Sequence, residues 1–334
     1  MAKDIVFVLH GMGEHSDDWM TDKAGAIPAL KDAAKNYPFF ESASLDTYVE
    51  FVPILYDDIF RKIIANWTDQ ANGLKKSIPV MPGLPDKVLT FMQSLDDNDW
   101  ESTHAGDVVL YWGFRLFQQR VSLRVIKQIV DKVNQTATAG DSVPDYHILA
   151  TSLGTAVAQD ALHHLGTETW LEGLAARQVA EIDEEYRQER ADLLVSLDRL
   201  KEEFGTSNPF APGLFGFESV AMLSNVSGLV FGTEPPGASI VRPGTASEHG
   251  AYTKHYLNVN HVADPVSLAT QFRAPPDWEL SGGYKDLTFN HFFPIEGIDT
   301  VADVASRIHS AAHYVANPDL HLRLLMLYVN PYRP

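Results

Sequence analysis

Short runs of β-branched and apolar residues, separated by amphipathic or helical stretches, set the tightest limit on how this chain can fold. "IVFVLH" (5–10), "VEFVPILY" (49–56), "DVVLYW" (107–112), "YHILA" (146–150), "VAMLSNV" (220–226) and "HYLNVNHV" (255–262) are too short and too continuously apolar for surface helices. Each suits a strand buried on both faces. "RLFQQRVSLRVIKQIVDKV" (115–133) and "GTAVAQDALHHL" (154–165) have helical patterning. The alternation predicts βαβ units and an α/β fold, a mostly parallel central sheet with helices on both faces. No internal repeat is visible, and 334 residues can bury one large core or two modest ones.

Two segments interrupt the alternation. Residues 71–104 mix Pro and Gly with a short helical run and read as a long excursion. In residues 168–204 the positions Val179, Ile182, Tyr186, Leu193, Leu197, Leu200 and Phe204 form one apolar helical stripe with a charged reverse face. "SNPFAPGLFGF" (207–217) comes next as a hinge or connector. The segment 166–216 is therefore expected to be a helical insertion within a single domain spanning 1–334, serving as a brace, a lid or a partner surface.

Composition narrows the functional classes. A net charge of −18 repels phosphate backbones and argues against a nucleic-acid partner. With no cysteine, disulfides, thiolate metal sites and a cysteine nucleophile are all excluded. No apolar run has the length of a membrane span, and "MAKDIVFVLHG" reads as a strand rather than a signal segment. The expectation is a cytoplasmic protein without a transmembrane segment.

The sharpest local feature is "YHILATSLGTAVAQDAL" (146–162), an apolar run that reverses into a helical pattern around Ser152. A strand that turns this sharply leaves room only for small residues two before and two after the turn. Ala150 and Gly154 occupy those places. Such a turn lifts the hydroxyl above the sheet and aims the first helical amides, from Leu153 onward, at whatever the hydroxyl attacks. "VLHGMGEH" adds a glycine-rich loop after the first strand. A dinucleotide fingerprint is disfavoured there, because "GMGEHS" lacks a third glycine.

Together these stretches resemble the α/β-hydrolase superfamily, in particular its serine esterases and lipases. Ala-Thr-Ser-Leu-Gly is a variant of the nucleophile elbow, and His10-Gly11-Met12-Gly13 is similar to the family's oxyanion loop. The resemblance runs from residue 5 to about 326 and implies a sheet that lacks the family's first strands, with 168–204 where many members carry a cap. It also implies Ser152 as nucleophile and the backbone N–H groups of Met12 and Leu153 as oxyanion donors.

In the family's order the acid and then the base come after the serine. Asp264, directly after an apolar run and before Pro265, is the expected acid, with Asp299 and Asp303 as competitors. "AHYVANP" (312–318) looks like the family's ending, so His313 is the expected base, with His309 and His291 as alternatives. In the family, residues usually separate this histidine from the tyrosine, whereas His313 and Tyr314 are adjacent. His309 and His313 stand four apart, but no H-E-x-x-H pattern or carboxylate cluster supports a metal. His10 is expected to be structural.

The expected reaction is hydrolysis of a small-molecule carboxylic ester with an apolar acyl or alcohol group, through an acyl-enzyme and without cofactor or metal. Alternatives are a thioesterase and a non-catalytic α/β-hydrolase-like binding protein with the acidic insertion as its partner surface.

Overall fold

The structure is a computed structural model that describes residues 2–11, 19–21, 25–60, 115–137, 144–166, 170, 173, 184–207, 209–210, 215–228, 241–244, 253–264, 272–290 and 308–329. Its strands are β1 (Asp4–Leu9), β2 (Val49–Ile54), β3 (Tyr146–Thr151), β4 (Phe217–Leu223), β5 (Thr253–His261) and β6 (Tyr284–Phe289). They form one sheet in the order β2-β1-β3-β4-β5-β6, and every neighbouring pair is parallel. The main helices are α1 (Ala26–Ala34), α2 (Arg115–Ala137), α3 (Leu153–Leu165), α4 (Glu184–Phe204), α5 (Pro276–Leu280), α6 (Ala311–Val315) and α7 (Pro318–Tyr328). The expected α/β class with a parallel sheet is present. The expected strand at 107–112 lies outside the described residues.

Alternation along each strand supplies two cores. Ile5, Phe7, Leu9, Ile148, Ala150, Val220 and Met222 face a layer built from α2, α3 and α4. Val6, Val8, Leu149, Ala221, Leu223, Leu257 and Val259 face the opposite layer of α1, α6 and α7. With both faces covered, the strands read as unbroken apolar runs, because neither set of alternating side chains meets water.

Helix α4 packs along α2. Along α4, Tyr186, Leu193, Leu197 and Leu200 are buried, whereas Phe204 at its end is exposed. Val179 and Ile182 lie outside the described residues. Arg124 of α2 donates to Glu189 and Glu185 of α4 and also to Asp58, at 2.8 Å for Asp58 and 3.2 Å for Glu185. Farther along the same interface, Asn134 Nδ2 donates to the Ser196 carbonyl and Ser196 Oγ to Asp131.

Strand order also locates the site. From β1 the chain moves outward to β2 and then returns to place β3 on the other side of β1. Connections leaving β1 and β3 in opposite directions open a crevice at their carboxyl ends, where α/β sheets commonly bind ligands. Gly11 and Ser152 lie at those two ends. Among the described residues, no helix is long and apolar enough to cross a membrane.

Candidate active site

Ser152 occupies the one-residue turn between β3 and α3, with φ 52° and ψ −128°. A non-glycine residue at positive φ is strained, and the surrounding contacts hold it there. Its N–H donates to the Leu223 carbonyl of β4 (3.0 Å), while its carbonyl accepts from Thr155 N–H (2.8 Å) and Thr155 Oγ1 (2.6 Å). Close packing explains the small neighbours. A Cβ on Gly154 would stand 2.3 Å from the His10 carbonyl oxygen and 2.8 Å from that of Leu9. A Cβ on Gly11 would come within 2.9 Å of the Ser152 Cβ. The β1 turn and the β3 turn therefore lie against each other, and the two glycines make that approach possible.

The imidazole that meets Ser152 belongs to His309. Its Nε2 lies 2.7 Å from Ser152 Oγ, and its Nδ1 lies 3.0 and 3.1 Å from the two carboxyl oxygens of Asp264. This arrangement gives Nδ1 the proton and leaves Nε2 free to accept from the serine hydroxyl. Asp264 lies three residues beyond the end of β5, and its N–H closes a turn onto the His261 carbonyl (3.0 Å).

Asp264 is completely buried, so its charge requires donors. Oδ2 accepts from Tyr314 OH at 2.6 Å and from Ser224 Oγ at 2.7 Å, besides facing His309. Burial alone would raise the Asp264 carboxyl. The contacts from His309, Tyr314 and Ser224 outweigh it and hold the group well below the usual carboxylate range.

The expectation that His313 meets Ser152 is corrected. Its ring packs against His261, edge to face at 5.3 Å between centroids, and lies parallel to Phe289 at 6.2 Å. Burial first, and His261 next, push its pKa down, against the opposing pull of Asp264. The cause is where α6 begins. Ser310 is its N-cap, and its hydroxyl accepts from His313 N–H at 3.3 Å. His309 thus sits in the turn ahead of the helix and faces Ser152, while His313 is carried one turn into it. Tyr314 then reaches back to Asp264. Four residues separate His309 from that tyrosine.

Ser224, which no sequence motif marked, also has positive φ (50°). Its Oγ lies 3.0 Å from His309 Nδ1 as well as 2.7 Å from Asp264. Nothing in the local sequence marks a serine for left-handed backbone. The nearest signal is its place at the carboxyl end of a buried strand, beside the elbow strand.

Leu153 is the first residue of α3, so its N–H has no partner four residues back in the helix. Met12, the other expected oxyanion donor, lies outside the described residues, as do His291, Asp299 and Asp303. His10 is buried and structural. Its ring stacks on Tyr56 at 4.1 Å, its Nδ1 lies 2.9 Å from the Gly11 carbonyl oxygen, and its own carbonyl accepts from Tyr56 OH.

Compared with protein-family models, with curated proteins and with solved structures, the chain matches none.

Proposed function

We propose that this chain is a serine hydrolase of carboxylic esters, built on an α/β-hydrolase framework. The observation that carries the reading is the continuous line from Ser152 Oγ through the His309 ring to Asp264, at 2.7 and 3.0 Å. Its three members come from the ends of β3 and β5 and from the turn before α6. The strained turn, the required Gly154 and the crevice between β1 and β3 support the same reading, because each serves to present one hydroxyl above the sheet.

In this mechanism Ser152 Oγ attacks the ester carbonyl carbon while His309 Nε2 takes its proton. Asp264 holds Nδ1–H and stabilises the resulting imidazolium. The tetrahedral oxyanion is held by the Leu153 N–H, with Met12 N–H as the second donor that the family resemblance implies. Collapse expels the alcohol, which leaves with the proton from Nε2. Water then attacks the acyl-enzyme, giving its proton to His309, and the acid departs as the proton returns to Ser152. The substrate is a small molecule with an apolar acyl or alcohol group. Thioesters take the same course with a thiol as leaving group.

The test is labelling with a fluorophosphonate, then a panel of esters and thioesters of increasing chain length. Wild type is expected to be labelled at one serine and to turn over part of the panel. Ser152→Ala should lose the label and roughly 10⁶-fold in kcat. Label retained in Ser152→Ala, or an unreactive wild type, would overturn the proposal.

A further inference from the structure

We infer that Ser224 is a positioning residue that fixes the His309 imidazole from the side opposite Ser152. This rests on the ester-cleaving role proposed for Ser152. Three observations carry it. Ser224 Oγ lies 2.7 Å from Asp264 Oδ2 and 3.0 Å from His309 Nδ1, so a hydroxyl donating to the carboxylate turns a lone pair toward the Nδ1 proton. The residue is almost wholly buried (1% exposed), so no water competes for either contact. Finally, Ser152 and Ser224 are the two non-glycine residues with positive φ among the described residues.

The last point decides between accident and role. Glycine or asparagine relieves the strain of a left-handed position, and serine does so poorly. A serine at that position is explained by its hydroxyl. The backbone is fixed by its own N–H, which donates to the Val259 carbonyl at 2.8 Å. This anchor holds Oγ within 3.0 Å of the imidazole Nδ1. Asp264 then meets three groups that each define its plane: Tyr314 OH, Ser224 Oγ and the ring it orients. Without Ser224, Asp264 keeps its charge partner but loses one restraint on rotation, and Nδ1–H loses its second acceptor. Ser224 does not reach Nε2 and takes no proton from substrate, so it acts through His309 and Asp264.

Two variants test this. Ser224→Gly removes the hydroxyl and relieves the positive φ. Ser224→Cys keeps the shape and the backbone strain but substitutes a weak donor. With both variants folded by circular dichroism, kcat is expected to fall roughly tenfold in each, with KM changed less than about twofold, as for one lost hydrogen bond to a charged group. Labelling of Ser152 by fluorophosphonate should slow by a similar factor. Wild-type kcat in either folded variant, or activity loss that only tracks the folded fraction, would overturn the role of Ser224 and leave the nucleophile standing. A wild-type protein that does not label at Ser152 would overturn both.

Discussion

The turns after β3 and β4 begin alike and end differently. Each caps a buried parallel strand with a serine at positive φ, and each serine N–H donates to a carbonyl on the next strand: Ser152 to Leu223, and Ser224 to Val259. Beyond the serine they diverge. Ser152 leads directly into α3, whose third residue, Thr155, caps the turn by donating to the Ser152 carbonyl. Ser224 leads into Asn225, a fully buried amide whose Nδ2 donates to Asn258 Oδ1 (2.9 Å) and whose Oδ1 accepts from the N–H and Oγ of Ser227. One turn offers its hydroxyl to the crevice, and the other is tied into the interior. Thr155 Oγ1, which accepts from Val226 N–H at 2.9 Å, joins the two. Between them stands His309, with Nε2 toward one serine and Nδ1 toward the other. In the proposed mechanism the same local strain serves reaction in one place and orientation in the other, and the difference lies in the next few residues: an open helix start after Ser152, a buried amide after Ser224.

The largest way to break this comparison is to remove the ring between the turns. His309→Ala should lower kcat by roughly 10⁶-fold, as expected when one member of a cooperating triad is lost. His313→Ala, whose ring packs on His261 and Phe289, should stay within a few-fold of wild type. An ester assay on the matched pair decides between the two histidines, and a larger loss in His313→Ala would reverse the assignment.

Asn225→Ala sharpens the contrast by loosening only the inward turn. It strands the Ser227 N–H and the Asn258 side-chain carbonyl in the interior, so a loss of about 3 kcal/mol in stability is expected, measured by urea unfolding. Residual activity per folded molecule should exceed that of His309→Ala by several orders of magnitude.

The smallest effect is expected from Tyr314→Phe, and it depends on pH. The Asp264 carboxyl is held below its ordinary value in the folded chain, so its contribution to stability is complete above the unfolded pKa of about 3.9 and is lost as pH falls further. Losing the tyrosine donor moves the folded value back up. Tyr314→Phe should therefore cost about 1.5 kcal/mol near neutral pH and begin acid unfolding at a higher pH than wild type. Melting curves recorded from pH 7 to 3 would show it; curves that stay parallel to wild type would refute it.

Much of this architecture is readable from the chain because it rests on local rules. Buried parallel strands show as runs such as "IVFVLH", and the crowding at the Ser152 turn shows as Ala150 and Gly154. Asp264 was legible as a carboxylate just past a strand. The sequence favours His313 over His309 as the partner of Ser152 because the two are close in sequence and only the helix start separates them. Ser310 held that information as an N-cap. That cap leaves His309 outside the helix, with four residues between it and Tyr314. Ser224 and the Asn225–Asn258 pair had no such signal, since they depend on which strands become neighbours.

Arg124 ties three parts of the chain to one another. Its guanidinium donates from Nε, Nη1 and Nη2 to Glu189, Asp58 and Glu185, so one cation spans α2, α4 and the segment after β2. Arg120, one turn earlier on α2, adds a further pair to Glu185 at 3.0 Å, in a chain 18 units negative overall. Together with Tyr186, Leu193, Leu197 and Leu200 buried along the same helix, these pairs hold Glu184–Phe204 against α2.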